Sequence, residues 1–187
     1  LFNFILTTAT TGVLGLLILS FQKSIDNAQR TPTIIATNLI IFGIIMWAAD
    51  KIAFKKSLST GHQRSLESMN FKDALLVGFF QAIAVFPGVS RSGITLTITR
   101  YLGLSRENAA SYSFLLSLPL IIVGALMKVG DLPEQINLQL LFVGVISSFI
   151  FGFVAIHVFL EMIKKIGLGV FCFYRIILAI LVIVYLG

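Results

Sequence analysis

The sequence predicts an all-α integral membrane protein: about five transmembrane helices plus one re-entrant helix–loop–helix hairpin, in a single membrane domain. Three observations predict this. The 187 residues are 57% hydrophobic and only 12% charged, about half the charged share of a soluble domain. The mean hydropathy is +0.99, and the apolar residues fall in uncharged runs long enough to span a bilayer. One of these runs, over residues 74–104, is broken by Pro87, Gly88, Ser90, Arg91, Ser92 and Gly93. This hydropathy argues against a soluble or nucleic-acid-binding role. The net charge of +6 reads instead as basic cytoplasmic loops beside anionic lipid. A lone cysteine, Cys172, allows no internal disulfide.

The elements follow in order. Residues 3–21 form the first span. A polar loop over 22–31 carries Lys23, Asp26 and Arg30. Residues 32–49 form the second span, ending at Trp47, Asp50 and Lys51. The basic loop over 55–73 carries Lys55, Lys56, Arg64 and Lys72. After the broken segment come spans over 107–127, with Pro119 as a kink, 138–160, and 168–186, the last interrupted by Arg175. The chain opens on Leu1 with no charged stretch before its first apolar run. A signal peptide is therefore not expected, and the sequence is expected to be a fragment whose amino-terminal part is missing.

The broken segment is expected to dip into the membrane and return. Residues 74–86 are shorter than a span requires. If the segment returns, Lys51, Lys55, Lys56, Arg64, Lys72, Arg106, Lys164 and Lys165 share one side, against Lys23, Arg30 and Lys128 on the other: eight basic residues against three. If it crosses once, the tally is six against five. Positive-inside bias selects the hairpin, with the basic loop cytoplasmic and the carboxyl terminus outside. Non-helical backbone at membrane depth is tolerated only inside protein or beside a wet cavity, so a site is expected at the tip.

Pro87 and Gly88 should stop the first helix near Phe86, and a second should begin at Ser92 or Gly93 under a serine cap. Its first-turn N–H groups and dipole would face the break. Arg91 adds a planar cationic fork suited to phosphate oxygens. The result is an anion cradle, and phosphate suits it. At helical spacing Ser92, Thr95, Thr99 and Gly103 share one seam of the return helix, and Gly78, Gln81, Ala82 and Val85 share a small and polar seam of the entering helix.

Phe80-Gln81, Phe86-Pro87-Gly88-x-Ser90-Arg91-Ser92-Gly93-x-Thr95, Ser113-Phe-Leu-Leu-x-x-Pro119 and Phe173-Tyr174-Arg175 resemble, in order over the whole chain, the undecaprenyl-diphosphate phosphatases, also called bacitracin-resistance proteins. The resemblance implies a multi-pass enzyme of the bacterial inner membrane. Such an enzyme removes the terminal phosphate of undecaprenyl diphosphate, recycling the carrier of peptidoglycan precursors and conferring bacitracin resistance. It also implies two inverted repeats, each a re-entrant hairpin followed by three spans, with a site opening to the periplasm. Residues 1–54 would then be the last two helices of the first repeat, 55–73 a cytoplasmic loop, and 74–187 the second repeat. By motif position Ser90, Arg91 and Thr95 carry over as catalytic, and Gly88, Ser92, Gly93, Gln81 and Arg175 as substrate-binding. The family's other signature, a glutamate-rich stretch followed by Pro-Val-Ser-Ser-Thr-Gly-His, does not occur here. The chain is thus expected to hold half a site and not to turn over substrate alone. Leu58-Ser59-Thr60-Gly61-His62 echoes the missing string, but it lies in the basic loop without Pro-Val or glutamates and is read as coincidence.

The resemblance leaves a divalent cation such as Mg²⁺ or Ca²⁺ open, with no metal ligands in this sequence, and leaves a homodimer open. Several residues have plainer readings. Arg175 either reaches the diphosphate or pairs with Glu161. Arg100 is expected to snorkel, His157 to be structural, and Glu107 to sit in the first turn of a helix capped by Ser105. Histidine-nucleophile lipid phosphatases are disfavoured, since no histidine follows Ser90-Arg91-Ser92 within the next sixty residues. The remaining alternative is a transporter or flippase of a phosphorylated polyprenyl lipid, which also uses broken helices aimed at an anion.

Overall fold

In a bilayer each backbone polar group must find its partner within the protein, so uncharged runs of this length fold as helices. A computed structural model describes residues 1–22, 31–128, 130 and 137–186, and these are helical almost throughout. The helices are α1 (Phe2–Gln22), α2 (Pro32–Thr60), α3 (Phe71–Ala82), α4 (Arg91–Tyr101), α5 (Arg106–Lys128), α6 (Leu138–Ile166) and α7 (Gly169–Leu186). Five of them, α1, α2, α5, α6 and α7, are long and apolar enough to cross a membrane. Lys23, Asp26 and Arg30 lie outside the described residues.

Two helices run further than their apolar spans. The second span was expected to end near Ala49, but α2 continues through Asp50, Lys51, Lys55 and Lys56 to Thr60. The fourth was expected to end at Leu160, but α6 continues through Lys164 and Lys165 to Ile166. Hydropathy marks bilayer thickness, whereas a helix ends where its carbonyls find a cap. Gly61 (φ 66°) and Gly167 (φ 79°) supply those caps, donating their N–H groups to the Ser57 and Ile163 carbonyls. The echo at 58–62 is therefore the end of α2, and the loop before α3 is shorter than the 55–73 expected.

The starts are also written in the sequence. Thr31 accepts the Ile34 N–H ahead of Pro32 in the first turn of α2. Asn70 and Asp73 form a reciprocal capping box on α3. Ser105 accepts the Asn108 N–H at the start of α5, with Glu107 in that first turn as expected.

Helices α3 and α4 are both too short to span, and they run out and back. Arg64 ties their two far ends together. It bonds Asp73 Oδ2 in the first turn of α3 at 2.6 Å and the Leu102 carbonyl just past α4 at 3.1 Å. Its own backbone pairs with Gly103 and Ser105. At the same end Asp50 of α2 gathers three more segments. It receives Arg100 of α4 at 2.8 Å, Arg106 of α5 at 2.8 Å, and the Leu168 N–H just before α7 at 3.2 Å. Arg100 is 2% exposed, so it does not snorkel as expected. Its charge is neutralised inside the protein because α2 extends far enough to bring Asp50 to it.

The small seam of α3 lies against α1. Thr7 and Thr11 donate to the Ala74 and Gly78 carbonyls at 3.1 and 3.2 Å. A Cβ on Gly78 would stand 2.8 Å from Thr10 Cβ and 2.9 Å from the Thr7 carbonyl oxygen. Gly78→Val should force α1 and α3 apart at a cost of about 1–3 kcal/mol. A lower melting temperature in detergent should report it, while Gly144→Val, at an open position, should melt like the wild type.

Candidate functional site

The break in the hairpin folds into a compact turn. α3 tightens into a 3-10 turn over Ile83–Val85, and Phe86 turns the chain outward with extended backbone. Gly88 takes φ +85°, and a Cβ there would overlap the Ile35 carbonyl oxygen of α2, so only glycine fits. α4 begins at Arg91, one residue before the earlier of the two expected starts, and Ser90 is its serine cap, accepting the Gly93 N–H at 3.3 Å. It holds φ 66°, the one positive φ at a non-glycine residue among those described. Such a backbone costs about 1–3 kcal/mol and persists where its surroundings impose it.

The surroundings are visible in the carbonyls. Asn38 of α2 donates Nδ2 to the Pro87 carbonyl at 2.7 Å. Arg175 of α7 donates Nη2 to the Gly88 and Val89 carbonyls at 2.7 and 3.0 Å, and Nε to the Leu39 carbonyl at 3.1 Å. Three consecutive carbonyls are thus turned into the bundle. The next N–H groups, those of Ser90, Arg91 and Ser92, have no acceptor among the described residues. Ser90 and Ser92 are exposed, with their hydroxyl oxygens 3.5 Å apart. Arg91 is partly buried, and its side chain makes no hydrogen bond or ion pair with the described residues. Free amides, two hydroxyls, a helix N-terminus and an uncommitted guanidinium all belong to the first turn of α4. This donor set suits an oxyanion.

The other expected site residues stand further back. Thr95 is 1% exposed and donates to the Arg91 carbonyl at 2.9 Å, beneath the first turn of α4. Thr99 bonds the Thr95 and Leu96 carbonyls, as helix-internal threonines do. Gly93 lies where a Cβ would come 2.8 Å from Arg175 Nη1 and 3.2 Å from Ser90 Oγ. Its lack of a side chain lets Arg175 pass under α4. Gln81 is 3% exposed and its Oε1 has no hydrogen-bond partner. Arg175 does not pair with Glu161, which bonds Lys164 instead. Arg175 is 7% exposed, and two of its three nitrogens are spent on backbone carbonyls. His157 is exposed, and no group of three His, Cys, Asp or Glu side chains comes together among the described residues. The hydroxyls, amides and guanidinium at the α4 terminus suit an anion and not Mg²⁺ or Ca²⁺.

Sequence reasoning passed over Asn38. It follows Thr37 and precedes Leu39 inside an uncharged span. A polar side chain at that depth carries the same signal that singled out Arg91.

These features define a multi-pass α-helical membrane protein with unpartnered donors at a break between two short helices. Its relatives agree with that class. Residues 1–181 match the family described as bacitracin resistance protein BacA, and the chain belongs to that family. It is 38% identical over 187 residues to undecaprenyl-diphosphatase 2 of Stutzerimonas stutzeri strain A1501, covering 98% of this chain and 67% of that protein. It is 38% identical over 164 residues to the undecaprenyl-diphosphatase of Moorella thermoacetica, covering 87% of this chain and 60% of that protein. With the Geobacter metallireducens undecaprenyl-diphosphatase the identity is 42% over 154 residues, covering 80% of this chain and 54% of that protein. The chain therefore spans roughly half to two thirds of the length of these relatives.

Proposed function

We propose that the α4 terminus is the diphosphate-binding half of a membrane phosphatase that hydrolyses undecaprenyl diphosphate to undecaprenyl phosphate and inorganic phosphate. The observation that carries this reading is the cradle itself, with the carbonyls of 87–89 turned inward and the amides of 90–92 and Arg91 left open. The names of the relatives supply the substrate. Water adds to the terminal phosphorus and the anhydride bond to the lipid phosphate breaks. Arg91 clamps the phosphoryl oxygens as charge moves onto them. Ser90 and Ser92 hold further oxygens from the exposed edge, Gly88 and Gly93 allow the backbone its close approach, and Thr95 anchors the first turn from below. Gln81 presents an uncommitted carbonyl oxygen on α3 within the same hairpin.

In this reading the α3–α4 unit over 74–104 is a re-entrant hairpin. The meeting of its two ends at Arg64 supports that, as does the basic-residue tally. The hairpin opens the second of two inverted repeats, 74–187, while 1–54 closes the first. The protein sits in the bacterial inner membrane with the cradle open to the periplasm, and a homodimer is compatible with this arrangement.

The test is phosphate release from undecaprenyl diphosphate by the full-length protein containing this chain, purified in detergent. Release of inorganic phosphate is expected. Tight binding of undecaprenyl diphosphate with no release would sink the phosphatase reading in favour of a lipid carrier transporter.

A further inference from the structure

Resting on the proposed phosphate cradle, we infer that Asn38 and Arg175 are its positioning residues: they hold the carbonyls of Pro87, Gly88 and Val89 away from the anion and do not themselves bind substrate. A loop of this kind has two faces. Its amides attract a phosphate and its carbonyls repel one. Turning three successive carbonyls inward requires donors inside the bundle, since a buried carbonyl without one is costly. Asn38 supplies one donor and Arg175 two, from different helices. The third donor of Arg175, to the Leu39 carbonyl one residue from Asn38, locks the pair together across α2 and α7.

The packing explains how an arginine comes to be there. A Cβ at Gly43 would lie 3.5 Å from Arg175 Cβ and 3.7 Å from its Nε, so α2 is small where the arginine stem passes. Gly93 is small where the guanidinium ends. Arg175 is thus enclosed by glycines on both sides, while its charge lies beneath the first turn of α4. From there it adds positive potential to the cradle without entering it. The strained Ser90 backbone follows from the same bracing, because carbonyls pinned at 87, 88 and 89 leave the chain one residue in which to turn into α4.

The experiment compares Asn38→Asp, Asn38→Ser and Arg175→Lys with the wild type and Arg91→Lys, all in the full-length protein. Asn38→Asp keeps the shape, removes the donor and faces a carboxylate with the Pro87 carbonyl. Asn38→Ser is too short to reach. Arg175→Lys keeps the charge but cannot span the Leu39, Gly88 and Val89 carbonyls. The readouts are KM and kcat for undecaprenyl diphosphate, inhibition by orthovanadate, binding of undecaprenol, and the melting temperature. Each variant that melts as the wild type does should show about a tenfold rise in both KM and the vanadate inhibition constant, since a carbonyl released toward the anion costs about as much as one lost hydrogen bond. Undecaprenol, which carries no phosphate, should bind unchanged. Equal losses for undecaprenol and vanadate would make the two residues fold elements only and overturn the inference. So would wild-type KM in all three variants beside an impaired Arg91→Lys. Wild-type kinetics in Arg91→Lys as well would fail the cradle reading itself.

Discussion

Replacing Arg91 with lysine in the full-length protein is expected to lower kcat/KM for undecaprenyl diphosphate by about 10²–10³, the usual cost of removing one preorganised donor from a charge-developing site. The substitution keeps the charge, so the effect isolates geometry. Arg91 has no partner among the described residues, and nothing in the fold depends on its guanidinium. A lysine ammonium is a point charge on a flexible stem and cannot bridge two oxygens of a phosphoryl group in a plane. The melting temperature should therefore stay within a few degrees of wild type while the rate collapses. Wild-type turnover would remove Arg91 from the clamp. A collapse of stability together with rate would show that the residue has a structural partner after all.

The second large effect is expected far from the cradle. Asp50→Ala should destabilise the protein by about 3–5 kcal/mol, because it strands a buried cation. Asp50 and Arg100 have side chains 4% and 2% exposed, and Arg106 and the Leu168 N–H converge on the same carboxylate. Arg100 also donates to the Leu104 carbonyl, so the stranded charge would lie at the base of the hairpin. Loss of folded protein in a detergent melt is the measurement. The double variant Asp50→Leu with Arg100→Met should recover part of the loss, since exchanging a buried pair for apolar packing is far cheaper than breaking it. A single variant that melts with the wild type would mean that the carboxylate contributes nothing.

The two effects separate the parts of the hairpin. Its tip carries donors left without partners, which is what a ligand requires. Its base carries charges with every partner in place, which is what a fold requires. Arg91 and Arg100 stand nine positions apart on one short helix, and the sequence marks both as arginines in apolar surroundings. Arg100 is paired and Arg91 is not because of what surrounds each.

The amino-acid sequence alone determined the membrane class, the five spans, the place of the break and a serine cap beside an arginine. These are local properties. Hydropathy follows from composition along a run, and a helix stops where proline and glycine deny it a donor or a handedness. The tertiary structure alone decided which polar residues meet. α2 runs on to Thr60 and so carries Asp50 to Arg100. Arg175 turns to the carbonyls of 88 and 89 and leaves Glu161 to Lys164. Asn38, unremarked in its apolar span, faces Pro87. The contacts of Asp50 with Arg100, of Arg175 with 88 and 89, and of Asn38 with Pro87 each cross 49 residues of chain or more. A buried polar group must take whatever partner the packing brings within about 3 Å, and no spacing along the chain encodes which helix that will be.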